Sequence, residues 1–168
     1  MIDTFVMFDD DTDSRFRTLR SIKNRFGAVN EVGIFAMTSE GMREVSNPSA
    51  IFLSRGAKAS PGSVVMVVYE GSRPLLVEAQ ALVDESVLGN PRRVSVGFEV
   101  NRLSMLLAVL HRHGGIQVSD QDVFVNAVGG IRVDETSSDL ALVLAVVSSF
   151  RNHILPQNLV VFGEVNFS

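Results

Sequence analysis

Eight consecutive apolar residues, Leu140–Val147, lie inside a stretch, Asp139–Arg151, whose apolar side chains nearly encircle a helix. A helix that is apolar all round belongs in the centre of a protein, so the rest of the chain has to wall it in. The run is far too short for the roughly 20 residues that span a bilayer. Pro156 follows its end, and Thr136 or Ser137 can cap its start. The walls are legible nearby. Val64–Tyr69 and Leu75–Val83 are β-rich runs joined by the turn Glu70-Gly71-Ser72-Arg73-Pro74. Val94–Phe98, Val123–Val128, Ile131–Val133 and Leu159–Phe162 read as further strands. Val100, Leu103, Leu107 and Leu110 recur at helical spacing, and Gly114-Gly115 ends that helix.

The N-terminal third reads differently. Thr4–Phe8 is a short apolar run without alternation, as in a strand covered on both faces. Asp9-Asp10-Asp11-Thr12-Asp13 fails as a calcium loop, because Ser14 and Arg20 stand where Gly and Glu are required, and is read as an acidic turn. Phe16–Arg25 then reads as a strand that puts Arg15, Arg17, Lys23 and Arg25 on one face. Gly27 would allow a tight reversal, with Val29–Met37 as the returning strand and Met42–Val45 as another. The hairpin tip then carries Lys23 and Arg25 outward, and such a pair suits a phosphate or a carboxylate. The competing role is a solvated edge that blocks aggregation. Asn47-Pro48-Ser49 suggests the start of a short helix or connector through Arg55. Gly56–Gly62 has linker composition.

The string Lys23-Asn24-Arg25-Phe26-Gly27 resembles the KNRFG signature of the bacterial RadA (Sms) family of DNA-repair ATPases, relatives of RecA and DnaB-type helicases. The resemblance continues through Ala28–Gly33, Glu44–Ser49, Leu110–Gly115 and Gln121–Asn126, covering essentially the whole chain. It implies an α/β fold in which residues 1–52 are closing strands of a RecA-like ATPase core, 53–62 a linker, and 63–168 a Lon protease-like α+β domain truncated at its C-terminus. It further implies that Lys23 and Arg25 reach the nucleotide of a neighbouring subunit, with Asn24, Phe26 and Gly27 holding the hairpin. The chain has no Gly-Lys pair and so no P-loop. ATP and Mg would be bound mainly by residues outside it, and zinc only by an N-terminal region also outside it. Implied partners are single-stranded and branched DNA, further copies in a homo-oligomeric, hexameric ring, and the recombinase RecA, with no membrane.

The stretch Gly129–Asp139 resembles the nucleophile turn of Lon proteases, with Ser137 at the serine. The flanking glycines of that turn are replaced here by Glu135 and Asp139, whose charge opposes an oxyanion. The resemblance places the base lysine beyond Ser168 and implies no peptidase activity. The alternatives are a Ser137-dependent peptidase and a purely structural oligomerisation domain. For Ser137 the structural role is a helix N-cap.

Arg92, Arg93, Arg102, Arg112 and Arg132 are the candidate DNA contacts of the second half, weighed against solvated surface charge. His111 and His113, two apart, do not share a helix face for a metal. The net charge of −4 means that any nucleic-acid contact must come from such local patches. The absence of cysteine excludes disulfides and thiolate zinc sites. No signal peptide is visible, so the expected location is the cytoplasm. Both ends read as cuts through strands, the last being Val165 and Phe167, as expected of a fragment.

Overall fold

A computed structural model describes residues 2–9, 16–47, 49, 53, 59–87 and 89–166. The architecture is mixed α/β with two sheets. The first is an antiparallel meander, β1 (Thr4–Asp9), β2 (Phe16–Asn24), β3 (Val32–Thr38) and β4 (Gly41–Glu44), in that spatial order. The second has the order β7-β8-β6-β5-β9, built from β5 (Ser63–Glu70), β6 (Arg73–Glu85), β7 (Arg93–Val96), β8 (Gln121–Ala127) and β9 (Val160–Val161). Here β5, β6 and β8 run antiparallel, while β7 pairs parallel to β8 and β9 parallel to β5. The two helices are α1 (Val100–Gly114) and α2 (Asp139–Phe150).

Period-2 patterning decides which sheet face is dry. Val64, Met66 and Val68 of β5, Leu75, Val77, Ala79 and Ala81 of β6, and Val123, Val125 and Ala127 of β8 are all buried. Helix α2 lies on β5 and β6, and Ala141 and Ala145 join Leu142 and Val146 in its buried stripe. The other stripe, Leu140, Val143, Leu144 and Val147, is half-buried, so enclosure is not equal on all sides. Its polar end is fully used. Ser148 Oγ accepts from Gly62 N at 2.8 Å and donates to His153 O at 2.6 Å, and Ser149 Oγ accepts from Val83 N at 2.9 Å. Those bonds stitch the last turn of α2 to the sheet. Helix α1 is capped by Glu99, whose carboxylate accepts from Asn101 N and Arg102 N, and by Gly115 at φ 64°.

Several expectations are corrected. Ile131–Val133 is not a strand; only Val133 forms an isolated bridge, to Phe98. β1 is not covered on both faces: Phe5, Val6, Met7 and Phe8, which alternate between its two faces, are all exposed, so neither face is packed over by the described residues. The β2–β3 turn is not a tight one at Gly27. The strands pair from Phe16↔Ala36 to Arg20↔Val32, and residues 25–31 form a longer connection. Gly27 is not in the left-handed region; Asn30 takes that conformation at φ 64°. A β-bulge at Ile22 also breaks the even count, since Phe5 faces Lys23 while Val6 faces Ser21. Arg17 and Lys23 are therefore out of the simple alternation. Arg15, the acidic turn from Asp10 onward and most of the Asn47–Gly62 connector lie outside the described residues. Among the described residues no helix is long and apolar enough to cross a membrane.

Candidate functional site: the hairpin tip and the serine turn

The tip is built on β1 as much as on β3. Thr4 pairs with Asn24 and Phe5 with Lys23, and the ladder continues as Arg25 N donates to Asp3 O at 2.9 Å. Lys23 and Arg25 are thus two residues apart on one extended stretch. The Asn24 side chain closes an Asx turn, accepting from Phe26 N at 3.1 Å and donating to Ala28 O at 3.4 Å. This local turn is what frees Phe26, which is 80% exposed. Arg25 Nη1 lies 3.2 Å from Asp3 Oδ1 in an ion pair exposed on both sides. Lys23 is exposed and has no ion-pair partner among the described residues. The arrangement presents one loosely held guanidinium and one ammonium, and a strongly anionic group can recruit both.

The serine turn is arranged for structure. Ser137 Oγ donates to Glu135 Oε2 at 3.1 Å, and Glu135 Oε1 accepts from Tyr69 N at 3.1 Å. Among the described residues no lysine or histidine is bonded to Ser137. Ser137 is not the N-cap of α2. It sits in a 3₁₀ turn, Thr136–Ser138, and Ser138 occupies the cap position with its hydroxyl bonded back to Glu135 O at 2.8 Å. The first turn of α2 is instead served by Asp139, where a carboxylate complements the helix dipole. Asp139 is fully buried and takes Arg102 in a two-pronged pair, with Nε to Oδ1 at 3.0 Å and Nη2 to Oδ2. Val165 N adds a third bond to Oδ2 at 3.1 Å. The hydrogen bonds that Arg102 donates to the Asp139 carboxylate, then the negative charges of Asp139 and Glu164, raise the Arg102 pKa above its ordinary value against the opposing effect of burial.

The five candidate DNA contacts fall into different settings. Arg102 is committed to Asp139. Arg92 pairs with buried Asp122 through Nε at 3.1 Å and Nη2 at 2.8 Å, and its guanidinium stands 5.6 Å from the Phe124 ring centre. Arg93 donates to the carbonyls of Arg92, Gln121 and Val118, holding the start of β7. Arg132 pairs with Asp134 at 3.0 Å on the surface. Arg112 is exposed in the last turn of α1, and no ion-pair partner engages it among the described residues.

Asp122 is a residue that sequence reading passed over. It accepts from Arg92 N at 2.7 Å, and this backbone bond, then the guanidinium, holds its carboxyl below the usual carboxylate range. A depressed folded pKa contributes stability above the ordinary value, lost as pH falls through the folded one. Asp122→Asn should therefore flatten the acid limb of the stability curve below about pH 3.8, measured by urea unfolding at stepped pH. An unchanged limb would show that the bond contributes nothing.

No family model matches the chain. It is 72% identical over 167 residues to DNA repair protein RadA of Salmonella typhimurium, covering 99% of this chain and 36% of that protein. It is 71% identical to DNA repair protein RadA of Escherichia coli over the same shares, 99% and 36%. The protein of the same name from Bacillus subtilis is 46% identical over 152 residues, 90% of this chain and 33% of its own length. The chain spans about a third of the length of these curated relatives. With identity of this degree along nearly its full length, the chain belongs to the RadA family of DNA repair proteins.

Proposed function

We propose that this chain is part of a DNA-dependent ATPase of recombinational DNA repair that promotes branch migration, working in the cytoplasm as a hexameric ring. Residues 1–52 close a RecA-like core and 63–168 form a Lon-like domain, joined by 53–62. The single observation that carries the reading is the outward tip. Lys23 and Arg25 stand on a stretch fixed by β1 and by the Asn24 turn, and among the described residues the guanidinium's ion-pair partner is an exposed aspartate. Phosphoryl transfer spreads negative charge over oxygens, and a cation supplied by a neighbour stabilises it. ATP and Mg are held chiefly by residues outside this chain. A subunit-mixing assay tests the trans contact. Subunits lacking their own nucleotide site but keeping Arg25 should restore hydrolysis to subunits carrying Arg25→Ala. Failure of every mixture to recover turnover would refute the contact.

The second domain, in this reading, serves assembly and DNA contact and does not cut peptides. Ser137 donates to a carboxylate that is itself held by a backbone N–H, and among the described residues it has no lysine or histidine bonded to it to take its proton as in a Ser–Lys or Ser–His pair. A fluorophosphonate probe should leave Ser137 unlabelled, and mass spectrometry showing the adduct would reverse that assignment. Arg92, Arg93, Arg112 and Arg132 supply the DNA contacts, with Arg112 the most available and Arg102 retained for structure. Single-stranded and branched DNA are the substrates, and the recombinase RecA is the partner.

A further inference from the structure

The base of the hairpin is gripped by three consecutive residues at the β5–β6 turn of the second sheet. Glu70, the last residue of β5, pairs with Arg20 of β2. Ser72 bonds the Asn30 carbonyl twice, through its N–H at 3.1 Å and its hydroxyl at 2.9 Å. Gly71, at φ +61°, lies so close that a Cβ there would stand 2.6 Å from Val32 Cγ2 and 2.8 Å from Asn30 O. Arg20 and Val32 form the last regular rung of the β2–β3 ladder, and Asn30 N donates to Ser21 O at 2.7 Å just beyond it. One turn therefore holds both strands at the point where the tip departs. Beyond that point the tip's other support is β1, an exposed edge. Val32 and Ile34, by contrast, run into the shared core.

We infer that the Glu70-Gly71-Ser72 turn is a positioning element for Lys23 and Arg25, so that the second domain sets how well the tip meets a neighbour's nucleotide. The inference rests on the trans-nucleotide reading above. Arg25 lies five residues beyond Arg20, roughly 16 Å of extended chain at about 3.3 Å per residue. A tilt of only about 4° at the base then moves it by about 1 Å, a misplacement that can cost on the order of 10²-fold in rate. The grip acts on the base and touches neither cation, so these are positioning residues.

The test uses the full-length protein that contains this chain. Glu70→Gln with Ser72→Ala should lower DNA-stimulated kcat by on the order of tenfold, leaving the KM for ATP, ring assembly and melting temperature nearly unchanged. Gly71→Ala should lower it further, and Ser72→Thr, which keeps the hydroxyl, should behave as wild type. Arg25→Ala is run beside them. If Arg25→Ala loses turnover while the turn variants keep it, the positioning role is overturned and the tip's role stands. If Arg25→Ala keeps turnover, the tip reading fails and takes this inference with it. A fall in kcat that only tracks lost folded protein, without recovery in Ser72→Thr, would reduce the turn to a structural contact.

Discussion

Arg25→Ala in the full-length protein should lower DNA-stimulated ATP hydrolysis by on the order of 10³–10⁵-fold while nucleotide binding stays largely intact. On the proposed reading the magnitude is that of a cation supplied across a subunit boundary to the transferring phosphoryl group. The structure shows why Arg25 is available to an anion. In this chain Arg25 is held by Asp3 in a pair with 63% and 44% of the two side chains exposed. Exposed pairs are worth about 0.2–1 kcal/mol, so the guanidinium can leave Asp3 for a triphosphate at little cost. Arg25→Lys should recover only part of the rate, because a single ammonium cannot reproduce the forked donor set. Lys23→Ala should cost less than Arg25→Ala for the same reason. Measured kcat and nucleotide Kd decide the matter; wild-type turnover in Arg25→Ala would remove the tip from the reaction.

Arg102→Ala should destabilise the fold by about 3–5 kcal/mol, because it leaves the Asp139 carboxylate buried without its cation. Asp139 is 0% exposed, and after the change only Val165 N and the dipole of α2 would remain to hold it. Against a total stability of about 5–15 kcal/mol this is a large share. At roughly 2–4 °C per kcal/mol for a chain of this size, the melting temperature should fall by about 10 °C. The reverse change should be milder. Arg102 keeps 22% exposure and has Glu164 at 3.9 Å, so in Asp139→Asn its charge is not stranded. Equal losses in the two variants would mean that the pair's burial is not what makes it expensive to break. Both variants should also loosen residues 163–165, since Gly163 and Val165 are bonded to the start of α2.

The same pair shows how far the residues could be read in one dimension. Asp139 was legible as a carboxylate replacing a glycine beside Ser137, and its charge argued against an oxyanion there. That it faces Arg102 was not legible, because the two lie on different helices and nothing in local pattern links them. The helices themselves were readable to within a residue or two, since α1 announces its period and its stop at Gly115, and α2 its apolar run. The hairpin was readable as a pair of strands and as a signature. Its turn was not, because Gly27 looked like the residue that needs a left-handed backbone while Asn30 supplies it. The bulge at Ile22 was equally hidden, because a bulge is fixed by the partner strand β1 and not by the bulged sequence.

The sequence by itself determined the family, the two sheets' main strands and the presence of two cations near a hairpin end. These follow from periodicity, turn residues and an uncommon string, all of which are local. Only the tertiary structure decided that Ser137 faces Glu135, that Asp139 is neutralised by Arg102, and that Glu70, Gly71 and Ser72 hold the base of the tip. Glu135 is only two residues from Ser137 but is fixed there by the distant Tyr69 N–H; the other contacts join residues far apart in the chain, and all of them form only once packing has removed water and fixed both partners.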